Sequence, residues 1–352
     1  MLVGLAPQYL QWMLIAWAAL AVYVLVMAFW RPWRSSRKPL RTLFKLSFSL
    51  WLLAFFAVLA ETLIVSLYST TDAFSLSLVS KRWNERFVHR NNWNCRDDKR
   101  YEGEIPEGRK RLAIVGDSFA FGHGIKNIKD RFGDLLETRL NQVTKDHWEV
   151  YNLAEPGADT GWEVERLEKL GREQNFRADV VLLAYCMNDI ERLVPETYDI
   201  VGSIINDPPK NFFLNTFYLP NFLYYRLNHF QRPEVRGYFG WLKDGYLGEI
   251  WEKQKQRLDA IKKWCDERNS KLVVVVFPFM IRFDEYAFEA AHRTLMERFA
   301  SMKVPAVDLL PIYRKVNGKD LVVGAFDAHP DEDAHAIAAE EIWKGLLKDV
   351  AR

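Results

Sequence analysis

The sequence predicts an α/β protein: a three-layer α/β/α sandwich built on a parallel sheet, preceded by an N-terminal two-helix transmembrane hairpin. Three observations predict it. From Arg109 onward, short and almost wholly apolar runs alternate with amphipathic stretches, the β-then-α rhythm of a parallel sheet covered on both faces. Near the N-terminus lie two long apolar runs, each able to cross a ~30 Å hydrocarbon core. A cluster of arginine and lysine separates those runs, which orients a hairpin.

The first apolar run, Leu10 to Trp30, has no charged residue, and the second, Leu46 to Tyr68, has one acid, Glu61. Between them stand Arg31, Arg34, Arg37, Lys38, Arg41 and Lys45. Short basic loops stay cytoplasmic. No Lys or Arg precedes the first run, and the first base after the second is Lys81. Residues 1–68 are therefore expected as a two-pass hairpin in a cytoplasmic membrane, with the chain from Ser69 onward on the periplasmic or extracellular side. A cleaved signal peptide fits less well, because the N-terminus lacks a basic n-region and the first run is long. Glu61 falls roughly 22 Å along the second helix, where a glutamate reaching interfacial water is expected, with a partner-facing or functional acid as the alternative.

Residues 69–108 are mixed and polar and read as a linker. The remainder, 109–352, reads as one domain. Its strand candidates are Arg111–Val115, Trp148–Leu153, Asp179–Tyr185, Lys271–Phe277 and Ala306–Leu309. Runs such as Leu272-Val273-Val274-Val275-Val276-Phe277 suit strands buried on both sides. Helices are expected over Arg131–Gln142, Thr160–Asn175, Gly248–Asn269, Glu285–Met302 and Asp333–Val350. The first of these places Phe132, Leu135, Leu136 and Leu140 on one stripe. A stretch at about 191–247 breaks the rhythm and is rich in aromatics, among them Phe212, Phe213, Phe217, Tyr218 and Phe222. It reads as an insertion beside the site rim, either a lid, a surface for acyl chains, sugars or membrane, or an ordinary packed insert.

A net charge of +2 supplies no field for nucleic acid. The three cysteines, Cys95, Cys186 and Cys265, have no metal-ligand spacing. An oxidising compartment permits one disulfide, but nothing selects a pair.

The chemistry gathers in four places. Gly116-Asp117-Ser118 follows the first strand, which puts a hydroxyl where ligands collect in open α/β sheets. Gly157 lies in the loop after the second strand, Asn188-Asp189 follows the third, and Asp327-Ala328-His329 lies near the C-terminus. Ester chemistry at a serine needs a base, a group that orients the base, and donors for the oxygen that becomes negative. Ser118, His329 and Asp327 supply the first three, while the Ser118 and Gly157 N–H groups and the Asn188 amide supply the donors. Asp117 and Asp189 read as structural residues holding turns. His335, inside the last helix, reads as packing, and His123 as a residue that could line the pocket.

These blocks resemble the SGNH/GDSL hydrolase superfamily. The resemblance covers roughly Lys110 to the C-terminus, through Gly116-Asp117-Ser118-Phe119, Gly157, Asn188-Asp189 and Asp327-x-His329-Pro330. It implies Ser118 as nucleophile, His329 as base, Asp327 as its orienting acid, and Ser118, Gly157 and Asn188 as the oxyanion hole, with no cofactor and no metal. Two positions depart from the usual pattern. Cys186 stands where many members have glycine two residues before the asparagine. The acid and histidine are separated by one residue rather than two, as in the polysaccharide O-acetyltransferase branch. The expected function is a membrane-tethered esterase or O-acyltransferase acting on acyl esters, most simply acetyl, of a cell-surface or exported glycan. A multispanning membrane acyltransferase is the partner a transferase would need. A lysophospholipase-like esterase and a non-catalytic accessory protein are the alternatives.

Overall fold

The computed structural model describes residues 4–197, 209–228, 233–316 and 320–348. The chain divides into two compact units, Met1–Arg86 with Asp207–His229, and Phe87–Asn206 with Phe230–Arg352.

The first unit is built on α1 (Pro7–Trp30) and α2 (Lys38–Leu67). Both are long and apolar enough to cross a membrane, at ~36 and ~45 Å from a rise of ~1.5 Å per residue. Polar side chains tie them together: Trp17 Nε1 donates to Thr62 Oγ1 at 3.2 Å, and Trp51 Nε1 to the Leu20 carbonyl at 3.0 Å. The stretch from 69 to 108 is mostly loop and turn. It contains α3 (Leu78–Phe87), whose run of Lys81, Arg82, Asn84, Glu85 and Arg86 conceals the buried Val79 and Trp83. Two short helices from the aromatic insertion, α7 (Phe212–Thr216) and α8 (Tyr218–Asn228), complete this unit.

Glu61 does not reach water. It is 4% exposed, and its two oxygens accept the Tyr218 and Leu219 N–H groups, each at 2.7 Å. Those amides open α8 and have no partner inside their own helix. The carboxylate therefore finds peptide donors 157 and 158 residues away in sequence, which no local pattern reveals.

The second unit carries five parallel strands: β1 (Arg109–Gly116), β2 (His147–Asn152), β3 (Val180–Cys186), β4 (Lys271–Phe277) and β5 (Ala306–Asp308). Their order across the sheet is β2-β1-β3-β4-β5. β1 lies between β2 and β3, with Ile114 opposite Asn152 and Gly116 opposite Ala184. The strand order reverses there, so the carboxyl ends of β1 and β3 flank the crevice where such sheets bind ligands. β3 and β4 are buried along almost their whole length, as their continuous apolar sequence requires.

Helices α5 (Phe132–Val143), α6 (Thr160–Glu173), α10 (Gly248–Glu267) and α11 (Glu289–Ser301) connect the strands. Further short helices are α4 (Ser118–Phe121), α9 (Pro233–Gly245) and α12 (Leu310–Lys315). The C-terminal segment departs from expectation. Before the last helix, α13 (Glu332–Ile342), stands an antiparallel ribbon of β6 (Val322–Gly324) and β7 (Asp327–Pro330). The last helix continues into a wider π turn over Trp343–Leu347. All three cysteines are free thiols, and all are buried.

Candidate active site

β1 delivers its chain into a tight turn at Asp117. The Asp117 carboxylate accepts the Phe119 N–H at 2.9 Å and so caps α4. This fixes the backbone of Ser118, the first residue of α4. Asp117 is fully buried. Burial raises its carboxyl above the usual range, while the Phe119 N–H and the Asn188 amide pull it back.

The turn after α4 is held from below by an arginine that sequence reasoning missed. Arg96 is 1% exposed, and its guanidinium donates to the carbonyls of Gly122 (2.6 Å) and Ile125. Arg131 in turn donates to the Arg96 carbonyl at 2.9 Å. A polar, non-periodic stretch gives no sign that one of its arginines is interior. Gly124 (φ +88°) closes the turn against the ribbon, for a Cβ there would lie 2.3 Å from Val323 Cγ2.

β7 carries both remaining members. In a strand, residues i and i+2 point to the same face, so Asp327 and His329 project together. Asp327 Oδ1 lies 2.5 Å from His329 Nδ1 and also accepts the His329 N–H at 3.1 Å. His329 Nε2 lies 2.7 Å from Ser118 Oγ, across 211 residues of sequence. The one-residue spacing is thus the strand's own solution to pairing an acid with an imidazole. Asp327 is 1% exposed, His329 8% and Ser118 9%, so the carboxylate is shielded while the hydroxyl borders the surface.

The sequence-predicted donors, Asn188 and Gly157, follow two other strands. Asn188 lies just past β3, and its amide donates to Asp117 Oδ2 at 3.0 Å. This fixes the amide's orientation and leaves its second hydrogen for another acceptor. Gly157 has φ +74°, a backbone conformation that disfavours side chains, and no atom lies within 4 Å of where a Cβ would be. Its loop is pinned at one end by a two-pronged ion pair, Arg90 to Glu155 at 2.7 and 2.6 Å. At the other end Arg257 holds Asp159 at 2.7 Å.

Beneath the site lie carboxyls with no catalytic geometry. Asp189 and Glu163 are both fully buried. Burial first, then repulsion from the nearby carboxyls of Asp117 and Asp159, pushes both well above the ordinary carboxylate range, with Glu163 adding to the shift of Asp189. Asp189 Oδ2 accepts the Cys186 N–H at 3.3 Å, consistent with the turn-holding reading. Glu191, just beyond, accepts the Tyr238 hydroxyl at 2.7 Å and is pushed up to about 7, chiefly by burial. His335 accepts the Phe132 N–H at 3.2 Å and is drawn down to about 3 by burial, so it packs as a neutral ring.

His123 is drawn into the site more closely than its sequence position suggests. Its Nε2 lies 3.6 Å from Asp327 Oδ2, and its ring centre 4.5 Å from that of His329. Among the described residues, His123, Asp327 and His329 each offer a ligand atom, and these atoms lie within 4.8 Å of one another. A cation there would compete with the hydrogen bond that links Asp327 to His329.

The arrangement has the parts of an acyl-transfer site: a hydroxyl, a base on it, an acid on the base, and fixed donors on adjacent loops. The family model described as GDSL-like Lipase/Acylhydrolase matches residues 114–337. Among solved structures, the chain is similar to TesA, at 16% identity and a TM-score of 0.45 over 68% of this chain and 99% of that one. It is similar to the lipase Lip_vut3 from a goat rumen metagenome, at 12% identity and a TM-score of 0.46 over 67% and 97%. It is also similar to a catalytic mutant of an acetylxylan esterase from Geobacillus stearothermophilus, at 12% identity and a TM-score of 0.41 over 68% and 96%. Among curated proteins none matches.

Proposed function

We propose, from the premise that the chain belongs to the GDSL-like lipase/acylhydrolase family, that this serine hydrolase is a membrane-tethered extracytoplasmic esterase or O-acyltransferase. Its substrates are acyl esters, chiefly acetyl, of a cell-surface or exported glycan. The observation that carries the catalytic part is the unbroken line from Asp327 through His329 to Ser118, at 2.5 and 2.7 Å.

In this reading Ser118 Oγ attacks the acyl carbonyl as His329 Nε2 takes its proton. Asp327 holds the Nδ1–H tautomer and faces the imidazolium that forms. The Ser118 and Gly157 N–H groups and the free hydrogen of the Asn188 amide receive the oxyanion. Collapse expels the alkoxide leaving group, which receives from His329 the proton taken from Ser118, and leaves an acyl group on Ser118. Water then regenerates the serine as an esterase, or a sugar hydroxyl does so as a transferase.

Tethering is supported by two apolar helices of sufficient length and by the basic residues confined between them. A glycan substrate is supported by the one-residue Asp327-x-His329 spacing, which resembles the polysaccharide O-acetyltransferase branch. A transferase needs an acyl supply across the membrane, and a multispanning membrane acyltransferase docked on the hairpin fills that role. Ser118→Ala tests the proposal. A serine-directed fluorophosphonate should label the wild type and not the variant. Surface-glycan acetyl content should fall in cells carrying the variant if the enzyme is a transferase, and rise if it is an esterase. Labelling of both proteins alike, with acetyl content unchanged, refutes it.

A further inference from the structure

The aromatic insertion follows the loop that carries Asn188, and its middle part joins the hairpin's unit. Its attachment is specific. Glu61 takes the first two N–H groups of α8. Asn221 Oδ1 accepts the Leu78 N–H at 2.8 Å. The Tyr218 ring packs edge-on against Tyr9 at 5.0 Å, within a buried cluster that includes Met13 and Val65. The Phe212 ring meets Trp12 at 5.7 Å.

These contacts fix the depth of the segment. Tyr9, Trp12 and Met13 lie in the first two turns of α1, and Glu61 and Val65 in the last two of α2, so they share one end of the hairpin. Glu61 lies six residues before the end of α2, about 9 Å along the axis. α2 is ~45 Å long against a ~30 Å hydrocarbon core. The contact zone therefore falls at the headgroup boundary, where amphipathic helices lie ~5–10 Å deep.

The segment's outward face suits that depth. Phe212, Phe213, Leu223 and Leu227 are 53%, 61%, 46% and 65% exposed. Leu223 and Leu227 are one turn apart on one side of α8. The only charged residues from Pro209 to Asn228 are Lys210 and Arg226, a sign that anionic headgroups favour.

We propose that residues 209–228 form a membrane-seated foot, with Phe212, Phe213, Leu223 and Leu227 buried in the outer leaflet and Glu61 as its anchor. This rests on the reading of α1 and α2 as a spanning hairpin. The occupant of the apolar face is lipid, because that face continues the exposed surface of α1 through the Trp12–Phe212 contact. The insertion is then a third membrane element rather than a flap for substrate.

Site-directed spin labelling of the full chain tests it, in vesicles of phosphatidylcholine and phosphatidylglycerol. The native cysteines are buried, so Phe213→Cys and Leu227→Cys direct the label, with Leu53→Cys in α2 and Val143→Cys in the catalytic unit as references. Both reference positions are exposed in the fold, at 69% and 57%. Labels at 213 and 227 should respond to oxygen over a water-soluble nickel chelate by a ratio several-fold above that at 143. Ratios at 213 and 227 equal to that at 143, with 53 lipid-facing, overturn the foot and leave the hairpin standing. An aqueous label at 53 overturns the hairpin and the foot together. Labels at 213 and 227 shielded from both reagents mean a protein occupant, which also overturns the proposal. Glu61→Gln keeps only one acceptor oxygen and should lower the ratio at 213 while leaving that at 53 unchanged.

Discussion

Asp327→Asn is the sharpest test of the catalytic geometry, because it changes one atom and a charge. Asp327 Oδ1 now receives both the Nδ1–H and the backbone N–H of His329. An amide NH2 at that place turns Nδ1 into an acceptor. The ring proton then moves to Nε2, 2.7 Å from Ser118 Oγ, where a lone pair is needed. The charge is lost as well. An imidazolium and a carboxylate with centres ~4 Å apart attract by ~4 kcal/mol at an effective dielectric of ~20. At ~1.4 kcal/mol per tenfold, that is about three powers of ten. With the wrong tautomer added, kcat should fall ~10³–10⁴-fold, the size the same change has in serine proteases. The assay is p-nitrophenyl acetate hydrolysis by the full chain in detergent, with Ser118→Ala as the zero and circular dichroism to verify folding. A folded Asp327→Asn protein within tenfold of wild-type kcat would show that the carboxylate does not serve His329.

Two further outcomes follow from neighbours of the site. Glu191 is raised from about 4.5 to about 7 in the folded state; for an acid shifted upward, the folded state's advantage is full below pH ~4.5 and drains away as pH climbs to ~7. Glu191→Gln, which still accepts the Tyr238 hydroxyl, should therefore match the wild-type Tm at pH 4 and exceed it at pH 8; a Tm difference independent of pH contradicts the assignment. Zinc at the imidazoles of His123 and His329 with Asp327, at its usual ~2.0–2.1 Å to nitrogen, takes Nδ1 of His329 and leaves the proton on Nε2. Zinc should thus inhibit esterase activity reversibly, EDTA should restore it, and His123→Ala should lose most of the sensitivity. Equal inhibition of both proteins counts against the site.

What was legible in the sequence follows from burial on both faces. The β4 run Lys271–Phe277 coincides with its sequence-predicted bounds, because the part covered on both faces, Leu272 to Phe277, is wholly apolar. The same logic locates Ser118 and Asn188, each just beyond such a strand. Local pattern fails where a residue's role depends on a distant partner. Arg96 lies in a polar stretch, and backbone carbonyls brought to it by the fold, those of Gly122 and Ile125 among them, pair it in the interior. Glu61 lies among apolar neighbours, and the amides that open α8 are the distant partners that satisfy it. The β6–β7 ribbon escaped because three- and four-residue strands are too short to display alternation. His123 carries no local sign of its approach to Asp327, since the two stand far apart in sequence.

The ribbon has a consequence for how the enzyme rests and works. Strand alternation welds acid and imidazole into a single rigid part, and the hydroxyl belongs to another, rooted in the main sheet. Three reacting groups thereby reduce to two moving bodies. Because one strand carries both, a displacement of the ribbon would move proton acceptor and counter-charge together. Turning the enzyme on or off comes down to one gap, between Nε2 and Oγ.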